Sequence, residues 1–385
     1  MKNEMNNNLL SLYFEGHIDS ANSAGIEKDI FDIIKEKNAG SILIDAQKLE
    51  YISSSGLRII LKLRKLFPEL KIINVSSDVY EILEVTGFTE IVNVEKAYRE
   101  FDVSNCSVIG EGANGKVYRV DRDTIVKVYK NADSLEDIKR ERELARTAFI
   151  SGIPTAIPYD VVKVGDTYGS VFELLDAKSF DELMIEDPEG NFDFVAEESV
   201  RIAKMMHATD APEGLPMQRD KVYHWTREIE GHISDERLSK LRAMIEELPE
   251  EGKMIHGDFH IKNIMLQNGE TLLIDMDTLC TGNNLYELAF MYNAYAGYSL
   301  ADKSNIEDFL GISLDVAHRF WRRSLELYFD TTDDEFIASA ENKAALIGCL
   351  RIMRHAMNKK SDDALATAAK QKLCELIDSV DTLII

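Results

Sequence analysis

The chain has 385 residues, 45% hydrophobic and 29% charged, and its 44 basic against 68 acidic side chains give a formal charge of −24. Apolar content at that level excludes wholesale disorder, and the length suits two or three domains whose cores need no staples. So acidic a chain is a poor partner for nucleic acid or an anionic membrane surface, both of which call for clustered basic side chains.

Residues 9–98 alternate strand-like and helix-like patterns. A short apolar run, 9–14, ends at Gly16, and Asp19 or Ser20 is placed to cap an amphipathic helix reaching about residue 37. Ile26, Ile30, Ile33 and Ile34 lie on one stripe of that helix. A buried-type strand follows at 41–45, then a helix at 56–67, a strand at 71–75, a helix at 78–85 and a last strand at 91–94. Such alternation predicts a small α/β domain with helices laid on a sheet.

From about Cys106 the pattern changes. Three strands come close together, at 107–109, 115–120 and 124–129, before a charged helix at about 134–150 and two further strands near 161–164 and 169–174. After about residue 194 the pattern is mostly helical, interrupted by a strand-loop-strand block at 254–276. Residues 1–100 hold 12 basic and 16 acidic side chains against 32 and 52 in the remainder, so the acidity belongs chiefly to the second region. That leans towards a cationic ligand for this region. The four cysteines, Cys106, Cys280, Cys349 and Cys374, are widely spaced and fit a reducing cytoplasm better than a disulfide framework or zinc site. The polar start and the lack of any run of about 18 apolar residues predict a cytoplasmic chain without signal peptide or membrane span.

Gly110, Gly112 and Gly115 form a G-x-G-x-x-G array, weak evidence by itself, and the flanks decide what it means. A dinucleotide-binding loop needs a helix straight after the third glycine. Here residues 116–120 alternate with period two, so a strand follows. A Walker A loop is nearly spelled by Gly110, Gly115 and Lys116, but Val117 has no hydroxyl to hold Mg²⁺. A glycine loop joining two strands is the arrangement that covers nucleotide phosphates in protein-kinase-like folds, and Val117 falls where that motif puts valine. Lys127, one cation in an apolar strand, is then the candidate for pairing the α- and β-phosphates. A carboxylate from the following helix must hold it, and Glu141 and Glu143 are both available.

The catalytic candidates come later in the chain. Asp258 and Asn263 have the D-x-x-x-x-N spacing of a kinase catalytic loop, with His256 two residues upstream. Twelve residues past Asn263, an apolar strand ends in Asp275 and Asp277. Phosphoryl transfer asks a protein for little covalent chemistry: a carboxylate to orient and deprotonate the acceptor hydroxyl, and ligands for Mg²⁺. Asp258 is the candidate base, and Asn263 with Asp275 the candidate metal ligands. His256, Asp258 and His260 alternate like hydrolase metal ligands, but no second histidine-rich segment completes such a site.

In this order, these motifs make residues 105 to about 380 resemble the aminoglycoside phosphotransferase/choline kinase branch of the kinase-like superfamily. His256-Gly257-Asp258-Phe259-His260 stands where protein kinases have H-R-D, and Ile274-Asp275-Met276-Asp277 where they have D-F-G. Met206-His207-Ala208 is similar to the L-H-A that precedes the catalytic loop in this branch, and Tyr286-Glu287-Leu288-Ala289 to its D-L-A, with Glu for Asp. The resemblance implies a two-lobed protein-kinase-like fold over 105–385, with an N-lobe at about 105–176 and a C-lobe at about 177–385. It implies ATP and Mg²⁺ as cofactors, and adenine near Glu173. It favours Glu141 over Glu143, since Glu141 lies eleven residues before Gly152. No A-P-E motif follows, which points to a small-molecule hydroxyl as acceptor.

Residues 1–100 resemble a STAS domain, the module of anti-sigma factor antagonists. Gly16-His17-Ile18-Asp19 matches its G-x-[IL]-D. Residues 51–57 match its D-S-[ST]-G-L, with Ser53 in the place of Asp and Ser54 in that of the phosphorylated serine. A phosphate on Ser54 would sit at a helix N-terminus, where free N–H groups accept an anion, and would dock or repel a protein partner. The expectation is an ATP- and Mg²⁺-dependent phosphotransferase with a regulatory STAS domain. The alternatives are a signalling kinase acting on a STAS serine and a catalytically silent nucleotide-binding module.

Overall fold

The computed structural model describes all residues except 7, 112–114, 131–134 and 360–362. The chain forms two compact units, residues 1–102 with 161–166, and residues 103–160 with 167–385.

The first unit is built on a five-stranded sheet in the order Asn3–Asn6, Leu9–Ile18, Ser41–Ile52, Lys71–Val75, Asn93–Lys96. Only the first pair is antiparallel. Helices Ser23–Lys37, Ser54–Leu66 and Ser77–Val85 link the parallel strands, as parallel pairing requires. Two strands outrun their apolar runs. Leu9–Ile18 passes through Gly16 with register slips on either side, and its partner Ser41–Ile52 extends equally far. Along that partner Ile42, Ile44, Ala46, Leu49 and Ile52 are all buried. The cap expected from Asp19 or Ser20 is not formed. Asn22 occupies that place without a side-chain cap, while Asp19 Oδ1 accepts from the N–H of Ala21 and Asn22 at 2.8 and 3.3 Å, closing the turn before the helix. Of the isoleucine stripe, Ile30 reaches the core fully, and Ile26, Ile33 and Ile34 pack on it in part.

The second unit opens with antiparallel strands Ser107–Glu111, Gly115–Arg119, Thr124–Tyr129 and Thr167–Glu173, hydrogen-bonded in that order. The helix Leu135–Ile150 follows the third of them, and Pro158–Val164 is also a strand. Beyond Lys178 the unit is helical. Helices Phe192–Ala208, Asn284–Tyr295 and Leu314–Phe329 contribute to one large apolar core. Two short ladders interrupt them, Ile264–Gln267 with Glu270–Leu273 and Lys253–Ile255 with Cys280–Gly282. These ladders carry the catalytic loop and the strand-end aspartates. No described helix is long and apolar enough to cross a membrane.

Candidate active site

A cavity of about 510 Å³ opens within the second unit. Gly110, Gly115 and Val117 line it from the first two strands, Lys127 from the third, Glu173 from the end of the fourth, Glu141 from the helix Leu135–Ile150, and Asp275 from the segment after Glu270–Leu273. Gly112 lies outside the described residues. Gly115 is required by space: a Cβ there would lie 2.1 Å from the Val128 carbonyl oxygen of the paired strand. Phe172, Met265 and Ile274 give the cavity an apolar lining that suits a flat base.

Lys127 is the best-held cation in the cavity. Its Nζ donates to Glu141 Oε1 at 2.7 Å and to Asp275 Oδ1 at 3.0 Å. Burial works against its charge, but Asp275 and Glu141 outweigh it and raise its pKa above the ordinary lysine value. Tyr129 donates to the other Glu141 oxygen at 2.5 Å, fixing that carboxylate within the fold. Glu143 instead faces Arg146 at 3.8 Å on the exposed side of the helix. Of the two candidate carboxylates, Glu141 is therefore the one on Lys127.

Asp258 sits beside the cavity rather than in its lining. Its carboxylate lies 3.4 Å from His260 Nε2 and 3.3 Å from Arg351 Nη2. Burial pushes its pKa up, but His260, Arg351 and His256 together hold it well below the usual carboxylate range. Asp258 is thus ionised at neutral pH and able to accept from a hydroxyl. Asn263 donates its amide to the Asp258 carbonyl at 2.9 Å, which leaves its oxygen as the atom it can offer a cation.

Backbone interactions set the shape of this loop. Glu287, fully buried, accepts from the N–H groups of His256 and Gly257 at 2.6 and 3.0 Å. His256 Nε2 lies 3.0 Å from the Ile274 carbonyl, and Thr278 donates to the His256 carbonyl at 2.7 Å. His256 is thus tied into the backbone of the loop, and His260 packs edge-on to Phe309 beside Asp258. Gly257 has φ +83°, and a Cβ there would lie 2.6 Å from the Thr278 carbonyl oxygen. Only glycine fits on both counts.

Asp277, the second of the strand-end aspartates, adds a carboxyl group beside Asp275. Burial, with Asp275 and Glu141 beside it, pushes its carboxyl up to about 7. Among the described residues no three His, Cys, Asp or Glu side chains converge as a metal-binding group. Mg²⁺ asks for less, one or two carboxylates together with substrate phosphates, and the Asp275 carboxylate and Asn263 oxygen are donors of that kind. The folded chain retains a proton on Asp277 that the unfolded chain releases near the ordinary carboxyl value, about 4. The associated stability is complete below that value and lost as pH rises through about 7. In chelated buffer, Asp277→Asn should match the parent's melting temperature at about pH 3 and exceed it by a margin that grows up to about pH 7. A gap that does not change with pH would refute the assignment.

The motifs also miss Arg351, which approaches Asp258 from 93 residues away. Nothing in the long helix Asp334–Lys359 marks it. Trp225 is core, 3% exposed and packed near Phe290.

A two-lobed kinase-like scaffold with a lysine–glutamate pair facing a strand-end aspartate defines the class as phosphotransferase. Residues 105–311 match the phosphotransferase enzyme family, and the chain belongs to that family. Residues 1–101 match the STAS domain. A putative anti-sigma factor antagonist, BtrV of Bordetella bronchiseptica, is 31% identical over 90 residues, 22% of this chain and 77% of that protein. Two crystal structures of a thermostable mutant of aminoglycoside phosphotransferase APH(4)-Ia share the fold. One, a ternary complex with AMP-PNP and hygromycin B, is 17% identical with a TM-score of 0.52, over 72% of this chain and 94% of its own. The other, an apo form, is 19% identical with a TM-score of 0.50, over 72% and 95%.

Proposed function

We propose that this chain is an ATP- and Mg²⁺-dependent phosphotransferase that moves the γ-phosphoryl group to a hydroxyl of a small molecule, in the cytoplasm. The observation that carries the reading is Lys127 held between Glu141 and Asp275 at the wall of one cavity, with the ionised Asp258 beside it. Lys127 would bind the α- and β-phosphates beneath the glycine loop, oriented by Glu141. Asp258 would orient the acceptor hydroxyl and take its proton as the oxygen attacks phosphorus in line. Asp275 and Asn263 would hold Mg²⁺, which supplies charge neutralisation on the phosphates when bound.

The test is ADP release and mass spectrometry after incubation with Mg·ATP, comparing the parent with Asp275→Asn. Asp275 has φ +63°, a left-handed conformation that asparagine tolerates, so the variant changes the charge and spares the backbone. Loss of ADP release is expected with the melting temperature nearly kept. Full activity in the variant would sink the metal assignment.

A second reading, a signalling kinase acting on a STAS serine, has one observation in its favour. Ser53 is the residue that caps the helix Ser54–Leu66, accepting from Ser55 N–H at 3.2 Å, and Ser54 is exposed on its first turn. The hydroxyl of Ser54 is therefore not needed as the cap. A phosphate on Ser54 that requires Asp275 would favour this reading; an unmodified Ser54 with ADP still released would favour the first.

A further inference from the structure

Three cations and a buried amide gather on the acceptor side of Asp258, beside the acidic groups of the site. Arg351 lies over the catalytic loop, donating to the Gly257 carbonyl at 3.1 Å and to Asp258 at 3.3 Å, with its guanidinium 4.2 Å from the Phe290 ring. A second cation comes from the helix Gln218–Glu228. Its first residue, Gln218, is 2% exposed and accepts from Cys280 Sγ at 3.3 Å, which fixes this helix end three residues beyond Asp277. Lys221 stands one turn on, on the same helix face. Arg140 supplies a third, next to Glu141 on the helix that packs against the turn Met276–Thr278.

These groups have donors to spare. Neither Lys221 nor Arg140 has an ion-pair partner among the described residues. Gln218 Nε2 is buried without a hydrogen-bond partner, a donor whose solvation has been lost. The helix of Arg351, Asp334–Lys359, packs on the helix of Lys221, and the helix of Arg140 packs on the turn Met276–Thr278, so these charges share one locale. None of the three, Gln218, Lys221 or Arg140, lines the cavity that holds Lys127 and the glycine loop. The nucleotide's phosphates are therefore already provided for elsewhere.

We propose that the acceptor alcohol carries an acidic group, a carboxylate or a phosphate, held by Lys221, Arg140 and the Gln218 amide, with Arg351 shared between that group and Asp258. The proposal rests on the phosphoryl-transfer reading and names its substrate class. An oxyanion supplies acceptor atoms to Lys221, Arg140 and the Gln218 amide through charge-assisted hydrogen bonds. A cationic alcohol in the same place would meet like charge and leave the Gln218 amide unpaired.

Calorimetric titration of the full chain decides the matter, using D-glycerate, glycerol 3-phosphate, glycerol and choline as probes. At least one of the two acids should bind more tightly than glycerol and choline, and which one does so tells carboxylate from phosphate. Lys221→Ala should weaken that binding by about tenfold or more, with ADP affinity and melting temperature kept. Arg227→Ala, which removes an exposed cation of the same helix whose guanidinium lies over the Tyr223 ring, should leave acid binding unchanged. Choline binding as tightly as the acids, no binding of either acid, or acid binding indifferent to Lys221→Ala would each overturn the proposal. So would loss of ADP affinity in Lys221→Ala, which would assign the lysine to the nucleotide. If an acid binds through Lys221 yet the chain releases no ADP from Mg·ATP, the anion site stands and the phosphoryl-transfer reading falls.

Discussion

Asp258→Asn should lower the rate of phosphoryl transfer by about 10²–10⁴ while leaving ADP affinity almost unchanged. The size follows from the role. The carboxylate must accept the hydroxyl's hydrogen bond and then its proton, and an amide of the same shape can do only the first. The selectivity follows from position, since Asp258 lies outside the lining of the cavity that holds Lys127 and the glycine strands. His260, Arg351 and His256 hold the carboxylate ionised, so activity should not titrate through Asp258 anywhere near neutral pH. Single-turnover measurement of ADP formation, beside calorimetric ADP binding, separates the two effects. A variant with parental turnover would remove Asp258 from the chemistry. One that loses ADP binding in proportion would make it part of the nucleotide site.

The second large effect concerns Glu287. Glu287→Ala should destabilise the second unit by about 2–6 kcal/mol, because two buried N–H groups lose their acceptor at about 1–3 kcal/mol each. Those groups belong to His256 and Gly257, so the catalytic loop is the segment that loosens. Glu287→Gln keeps one acceptor oxygen and should lose roughly half as much. The readout is convenient: the chain has two tryptophans, Trp225 and Trp321, both in the second unit. Urea unfolding followed by tryptophan fluorescence therefore reports that unit alone. An alanine variant as stable as the parent would show that water replaces the carboxylate at no cost.

Much of this organisation can be read from the chain, and what can be read is local. Period-two alternation after Gly115 excludes the helix-first phosphate loops, and it does so because side-chain direction alternates along any strand. The separation of Asp258 from Asn263 is similarly a property of one loop. Apolar runs mark strands but not their ends. The strand Ser41–Ile52 outlasts its run because pairing with Leu9–Ile18, through register slips, carries both past it. Asn3–Asn6 has no apolar signal, since an edge strand can be held by backbone hydrogen bonds alone. Arg351, Lys221 and the loop-holding role of Glu287 depend on which helices pack together in three dimensions, and no periodicity carries that information.

The bridge made by Lys127 between Glu141 and Asp275 has one further consequence. The ammonium and the strand-end carboxylate neutralise each other. A polyanion that draws Lys127 towards itself strips Asp275 of its counter-charge, and a cation that takes Asp275 frees Lys127 for a polyanion. The two occupants are thermodynamically linked through an exchange of partners. Each should raise the other's affinity by the same factor, as reciprocity demands.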